Sequence, residues 1–307
     1  SITVGGNLSL SGLYKEGTGD FTTSAGGDEY HRNRLFASGE GSSITVKGNT
    51  TVANNAELFA ETYSNPIDSH DHEKYIDKTT FKDLGRATFE GDVNLSTNAK
   101  LGSYNAGVVT VDGNVNAETG GNLQAWDSDA SLTVKGDAKF TGSDSRIQAG
   151  RTGSIEILGT TSLQDGSIEL NNKGSLSVGG NASITGAGSI VANSNSTLNV
   201  GGDLTSEGSY INANKSTINV GKDFNLDNKV EGSDAKLSYI EGTAVNVEGN
   251  LNMDGQYVAG TSDNLDNDDD WNAYYKNRLV ISKGGSSLDV KGDVNLKDNS
   301  HVKVESY

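Results

Sequence analysis

Residues 132–149 read Leu132-Thr133-Val134-Lys135-Gly136-Asp137-Ala138-Lys139-Phe140-Thr141-Gly142-Ser143-Asp144-Ser145-Arg146-Ile147-Gln148-Ala149. Three short runs in this stretch alternate apolar and polar residues: Leu132–Val134, Ala138–Phe140 and Ile147–Ala149. Each is bounded by Gly, Asp or Ser, which punctuate strands. Strict alternation sets Leu132, Val134, Phe140 and Ile147 on one side and Thr133, Lys135, Lys139 and Gln148 on the other. No helical period intervenes. Three strands in about 22 residues do not fit a propeller blade, which has four strands in about 40. They fit one triangular coil of a parallel β-solenoid.

The same phrase, apolar-polar-apolar-x-Gly-Asn/Asp, recurs along the chain. It appears as Ile2-Thr3-Val4-Gly5-Gly6-Asn7, Ile44-Thr45-Val46-Lys47-Gly48-Asn49, Val109-Thr110-Val111-Asp112-Gly113-Asn114 and Leu198-Asn199-Val200-Gly201-Gly202-Asp203. A weaker copy, Ile155-Glu156-Ile157-Leu158-Gly159, has Thr160 where Asn or Asp is expected. The glycines at 91, 113, 136, 159, 180 and 202 are separated by 22, 23, 23, 21 and 22 residues. Gly221 comes one place early. From Gly6 to Gly292 is 286 residues, or 13 intervals of 22. The expectation is a single all-β domain over residues 1–307: a right-handed parallel β-solenoid of about 14 coils, three strands each. At about 4.8 Å per coil it would be a rod of about 65 Å. The Gly-Asn/Asp pair would supply a corner residue tolerant of positive φ.

Composition agrees. Of 307 residues, 40 are glycine and one, Pro66, is proline. In a solenoid nearly every strand is paired on both edges, so a proline would delete a ladder hydrogen bond. The net charge of −17 repels phosphate backbones and anionic headgroups, which argues against nucleic acid and membrane surfaces as partners. The absence of cysteine removes disulfides and thiol chemistry. No run of about 18 apolar residues spans a bilayer as a helix.

Three stretches interrupt the period: insertions at 13–43 and 254–287 and an irregular coil at 62–84. The two insertions are related at their C-terminal ends, since Tyr30 to Gly48 aligns without gaps to Tyr274 to Gly292 with 11 identities in 19 positions. They are read either as loops inherited from a duplicated block or as a working surface, because solenoids place insertions on their binding face. Tyr30, Arg32, Arg34, Tyr274, Tyr275 and Arg278 would then be the contact residues, being of the types enriched at hot spots.

Catalytic signatures are few. No serine has glycine at both −2 and +2, and no dinucleotide or P-loop pattern is complete. His70 and His72, two apart, would face one way in a strand and hold zinc with a third ligand. The run Asp263 to Asp270 is rich in oxygen donors suited to calcium, with Asp266, Asp268, Asp269 and Asp270 as ligands, though EF-hand spacing is absent. Polysaccharide hydrolase or lyase chemistry would need paired carboxylates, or a basic group with calcium, in a groove. Most acidic repeat residues (Asp92, Asp137, Asp203, Asp223, Asp293) are instead explained by their corner positions.

The repeated V-x-G-[ND]-φ-x-φ phrase, the Gly/Asn/Ser/Thr-rich turns, the lack of Cys and the scarcity of Pro resemble the β-helical passenger domains of bacterial autotransporter-type surface adhesins. The resemblance covers nearly the whole chain, and its motifs specify architecture more than activity. It implies a secreted or cell-surface protein acting in adhesion, aggregation or biofilm formation. The chain departs from the family in having no pattern for a membrane barrel, and Ser1 opens directly on a repeat.

The functional expectation is a non-catalytic structural or adhesive rod, with no certain cofactor beyond the calcium reading. Its partners would be host or neighbour-cell glycans or proteins, or copies of itself. Alternatively, subunits stack head to tail into a filament or surface layer through uncapped terminal coils. Ile2 and Val4 at one end would meet Val302 and Val304 at the other. The second alternative is a polysaccharide lyase or hydrolase.

Overall fold

The computed structural model describes residues 1–12, 33–62, 83–227, 236–255, 277–298 and 300–305. Among them, 33 strands form three 11-stranded sheets in which every pairing is parallel and every third strand returns to the same sheet. Sheet A runs from Ile2–Val4 to Ser287–Val290, sheet B from Leu8–Ser11 to Val294–Lys297, and sheet C from Arg34–Ser38 to Ser300–Glu305. The chain is a parallel β-solenoid. Its three faces follow the three alternating runs of each repeat. In the decisive stretch they are Ser131–Val134, Ala138–Thr141 and Arg146–Gly150.

The rung count is 11, not about 14. The long glycine steps are single rungs, because Ile2 pairs directly with Ile44, Ser43 with Arg86 and Val245 with Leu288. A step of 42 or 43 residues therefore winds once and carries its extra residues outside the ladder. Rung spacing of about 4.8 Å then gives a stack of about 48 Å. Gly221 is likewise not displaced: Val200 pairs with Val220, so Lys222 occupies the usual glycine position in a shorter rung.

Alternation decides the interior. Leu132, Val134, Phe140, Ile147 and Ala149 are buried, and their registered neighbours Ile155, Ile157, Leu163, Ile168 and Leu170 continue the columns. Three phenylalanines, Phe89, Phe140 and Phe224, fill this core. Each fully buried aliphatic or aromatic side chain contributes about 1.5–3 kcal/mol of transfer free energy.

The corner between sheets A and B uses the Gly-Asn/Asp pair differently from the expectation. The marker glycines do not adopt positive φ. Instead, the Asn or Asp side chain of one rung accepts a hydrogen bond from the backbone N–H of its counterpart on the next. Asn49 N–H donates to Asn7 Oδ1 (2.9 Å), Asp92 N–H to Asn49 Oδ1 (3.1 Å), Asn114 N–H to Asp92 Oδ1 (2.8 Å) and Asp137 N–H to Asn114 Oδ1 (2.9 Å). The ladder resumes from Asn181 through Asp203, Asp223 and Asn250 to Asp293. Its interruption falls at Thr160, whose hydroxyl donates back to Asp137 Oδ1. At most rungs glycine precedes the capping residue because a Cβ has no room there; Lys222 takes that place in the shorter rung. At Gly136 a Cβ would collide with Asn114 Oδ1 and lie 2.7 Å from the Gly113 carbonyl oxygen. Positive φ belongs to the other two corners, as at Asn98 (61°), Asp165 (59°) and Asn172 (49°).

Candidate functional site: the outer face of sheet C

Sheet C has the longest strands, mostly five or six residues, and therefore shows three outward positions per rung where sheets A and B show two. Among the described residues, every aromatic side chain outside the core lies on this face: Phe36, Phe59, Tyr104, Trp126, Tyr210 and Tyr239. Phe36, Tyr210 and Tyr239 are 46%, 40% and 40% exposed.

The first rungs carry a connected aromatic cluster. Phe36 stacks on Phe59 with centroids 5.1 Å apart and planes 7° from parallel, the geometry expected of identical residues in register on adjacent parallel strands. Phe59 meets Tyr104 edge-on at 5.4 Å. The Tyr104 ring lies over Gly102 and the Trp126 ring over Gly150, where a Cβ would come within 2.7 and 2.6 Å of them. These two glycines interrupt the alternation because an aromatic ring occupies the space above them.

Polar groups fix the cluster's surroundings. Tyr104 Oη donates to Gln124 Oε1 (2.7 Å), Asn122 Nδ2 to Gln148 Oε1 (2.9 Å), and Gln148 Nε2 to Glu169 Oε2 (2.6 Å). Arg146 lies 3.4 Å from Glu169, and Glu57 sits between Arg34 (2.8 Å) and Lys100 (3.6 Å). Burial, followed by the negative charge of Glu57, pushes the Tyr104 phenol well above the ordinary tyrosine range. At the far end of the sheet, burial and then the charges of Arg278 and Lys303 hold the His301 imidazole below its usual value.

Arg34 and Arg278 are both on this face and in the same column, through the registers Arg34–Glu57–Lys100 and Arg278–His301. They stand on the first and tenth of 11 rungs, about 43 Å apart at the spacing of stacked strands. The related insert ends thus share a face without forming one site. Tyr30, Arg32, Tyr274 and Tyr275 lie outside the described residues, as do His70, His72, Pro66 and the calcium candidates Asp266, Asp268, Asp269 and Asp270. Among the described residues no group of three or more His, Cys, Asp or Glu side chains gathers as a metal site. Ile2 and Val4 lie on the first strand of sheet A, and Val302 and Val304 on the last strand of sheet C. Ile2 is 47% and Val304 75% exposed, while Val4 and Val302 pack against the core.

The long segments between rungs all border sheet C. Residues 13–32, 228–235 and 256–276 precede its strands Arg34–Ser38, Lys236–Glu241 and Asn277–Ser282, and residues 63–82 follow Glu57–Glu61. The aromatics fall in neighbouring outward columns, Phe36 and Phe59 in one and Tyr104 and Trp126 in the next, so no single repeat position marks them in the sequence. The outward positions of each third run (Phe36, Phe59, Tyr104, Trp126) carried the signal.

Comparison with family models, curated proteins and solved structures finds no match.

Proposed function

We propose that this chain is a non-catalytic rod of a bacterial surface or secreted protein, of the kind found in autotransporter-type adhesin passengers. It holds its partner, a neighbouring cell surface or another copy of the chain, along the outer face of sheet C. The observation that carries this reading is the segregation of aromatics: three in the core, six on the outside of sheet C, and none among the described residues on the outside of sheets A and B. Aromatic and arginine side chains dominate binding energetics, and a sheet fixed by parallel ladders presents them without an ordering cost.

The test is adhesion of protein-coated beads to bacterial and epithelial cell layers. The combined variant Phe36→Ser, Tyr210→Ser, Tyr239→Ser should lose most adhesion, whereas Thr45→Ser, Thr133→Ser on sheet A should keep it. Equal adhesion by both variants sinks the reading.

A further inference from the structure

Away from sheet C, the outer face of sheet B carries a groove of about 550 Å³ near the C-terminal end. Two registered columns line it. One is a side-chain ladder along the rod axis. Asn295 Nδ2 donates to Asn252 Oδ1 (2.9 Å), Asn252 Nδ2 to Asn225 Oδ1 (2.8 Å), and Asn225 Nδ2 to Thr205 Oγ1 (3.4 Å). The other, two residues further along each strand, stacks Glu207, Asp227 and Asp254 below Lys297.

We propose that this groove binds a neutral glycan chain lying parallel to the rod axis. At three of its four rungs it offers an Asn amide beside a charged group, and at the fourth the Thr205 hydroxyl stands beside Glu207. Every Asn amide nitrogen has two N–H groups and the ladder uses one, so the other can donate to a sugar oxygen. The carboxylates accept from sugar hydroxyls, and Lys297 donates. A donor and an acceptor side by side match adjacent hydroxyls on a pyranose ring. A pair of polar side chains recurs at every rung, about 4.8 Å, a step close to the advance per ring of an extended β-1,4-linked chain. The ladder already holds its amides in place, so little side-chain freedom remains to be lost on binding.

The same features exclude other ligands. Among the described lining residues, carboxylates outnumber ammonium groups three to one, which disfavours uronates, sulfated glycans and phosphates. The carboxylates are strung along the axis rather than converging on a point, which does not suit a cation. Among the described residues the lining has no aromatic side chain, and its only apolar residues are Leu226 and Met253, too few to seat an amphipathic helix.

Isothermal titration of the full chain with neutral β-1,4 hexaoses (cellohexaose, xylohexaose, mannohexaose), alongside α-linked maltohexaose and the polyanion alginate, decides the matter. Saturable binding of at least one β-1,4 hexaose is expected, with weaker or no binding of the other two ligands. Binding should weaken tenfold or more in Glu207→Ala, Asn252→Ala. It should also weaken in Asn295→Ala, Lys297→Ala, whose residues are exposed near the end of the stack and whose fold is checked by circular dichroism. The sheet C variant above should bind as the wild type does, which separates this groove from the adhesive face. No binding of any β-1,4 hexaose, tighter binding of alginate or maltohexaose, or unchanged binding in both groove variants would overturn the proposal.

Discussion

At Gly136 the corner ladder makes a sharp demand. A Cβ there would meet the Asn114 carboxamide oxygen and the Gly113 carbonyl at once, and neither belongs to a flexible side-chain tip, since Asn114 Oδ1 is held by Asp137 N–H. Gly136→Ala should cost about 1–3 kcal/mol in urea unfolding. Gly284→Ala, where no atom lies within 4 Å of the added methyl, should change stability by less than about 0.5 kcal/mol. Equal costs would disprove the steric explanation. The ladder also mixes Asn with Asp, so capping carboxylates rarely adjoin. Asp203 and Asp223 are the exception, with Asp223 N–H donating to Asp203 Oδ1 (3.1 Å). Asp223→Asn keeps the acceptor for Asn250 and removes a like charge. It should raise stability by a few tenths of a kcal/mol, more at low salt, and a lower unfolding midpoint would contradict this. The Gly-Asn/Asp phrase was plain in the sequence, but its reason was not. Sequence shows that glycine is preferred there, and not whether φ or a neighbouring rung disfavours a Cβ.

The strands were legible wherever alternation was strict, because an apolar residue at every second position has only one buried face available. Sheet C shows where that reading ends. Its interior columns (Leu58, Leu101, Leu123, Ile147) obey the pattern, but its outward aromatics resemble noise until registers align them. Tyr104 reports on this face. The stability that depends on its neutral phenol is fully present below the ordinary tyrosine value of about 10 and is lost as pH rises beyond it, since the unfolded chain releases that proton first. At neutral pH, Tyr104→Phe should cost about 1 kcal/mol for the hydrogen bond to Gln124. The gap between wild type and variant, followed by urea midpoints from pH 8 to 11, should narrow as pH rises. A constant gap would show that the phenol ionises alike in both states.

Over the whole molecule, the period was legible and the number of turns was not. Dividing 286 residues by 22 assumes that every residue advances the helix, whereas a segment leaving at a corner adds length without adding a rung. Only pairing tells the two apart, as Ile2 against Ile44 does. The long segments at 13–32, 63–82, 228–235 and 256–276 all depart from corners that sheet C shares with sheet A or sheet B, so none of them interrupts the stacking of the three ladders.

Because the chain contains no cysteine, introduced thiols can test this winding directly. Thr3 and Thr45 are register partners on adjacent rungs of sheet A, about 4.8 Å apart and within the Cα separation a disulfide tolerates. Thr88 and Thr133, each paired to Thr110, are two rungs apart. On oxidation, Thr3→Cys/Thr45→Cys should form an intramolecular disulfide, seen as a reductant-sensitive gel shift, and Thr88→Cys/Thr133→Cys should not. If the 41 residues between Thr3 and Thr45 instead made two turns, the first pair would stay unbridged, contradicting the 11-rung solenoid.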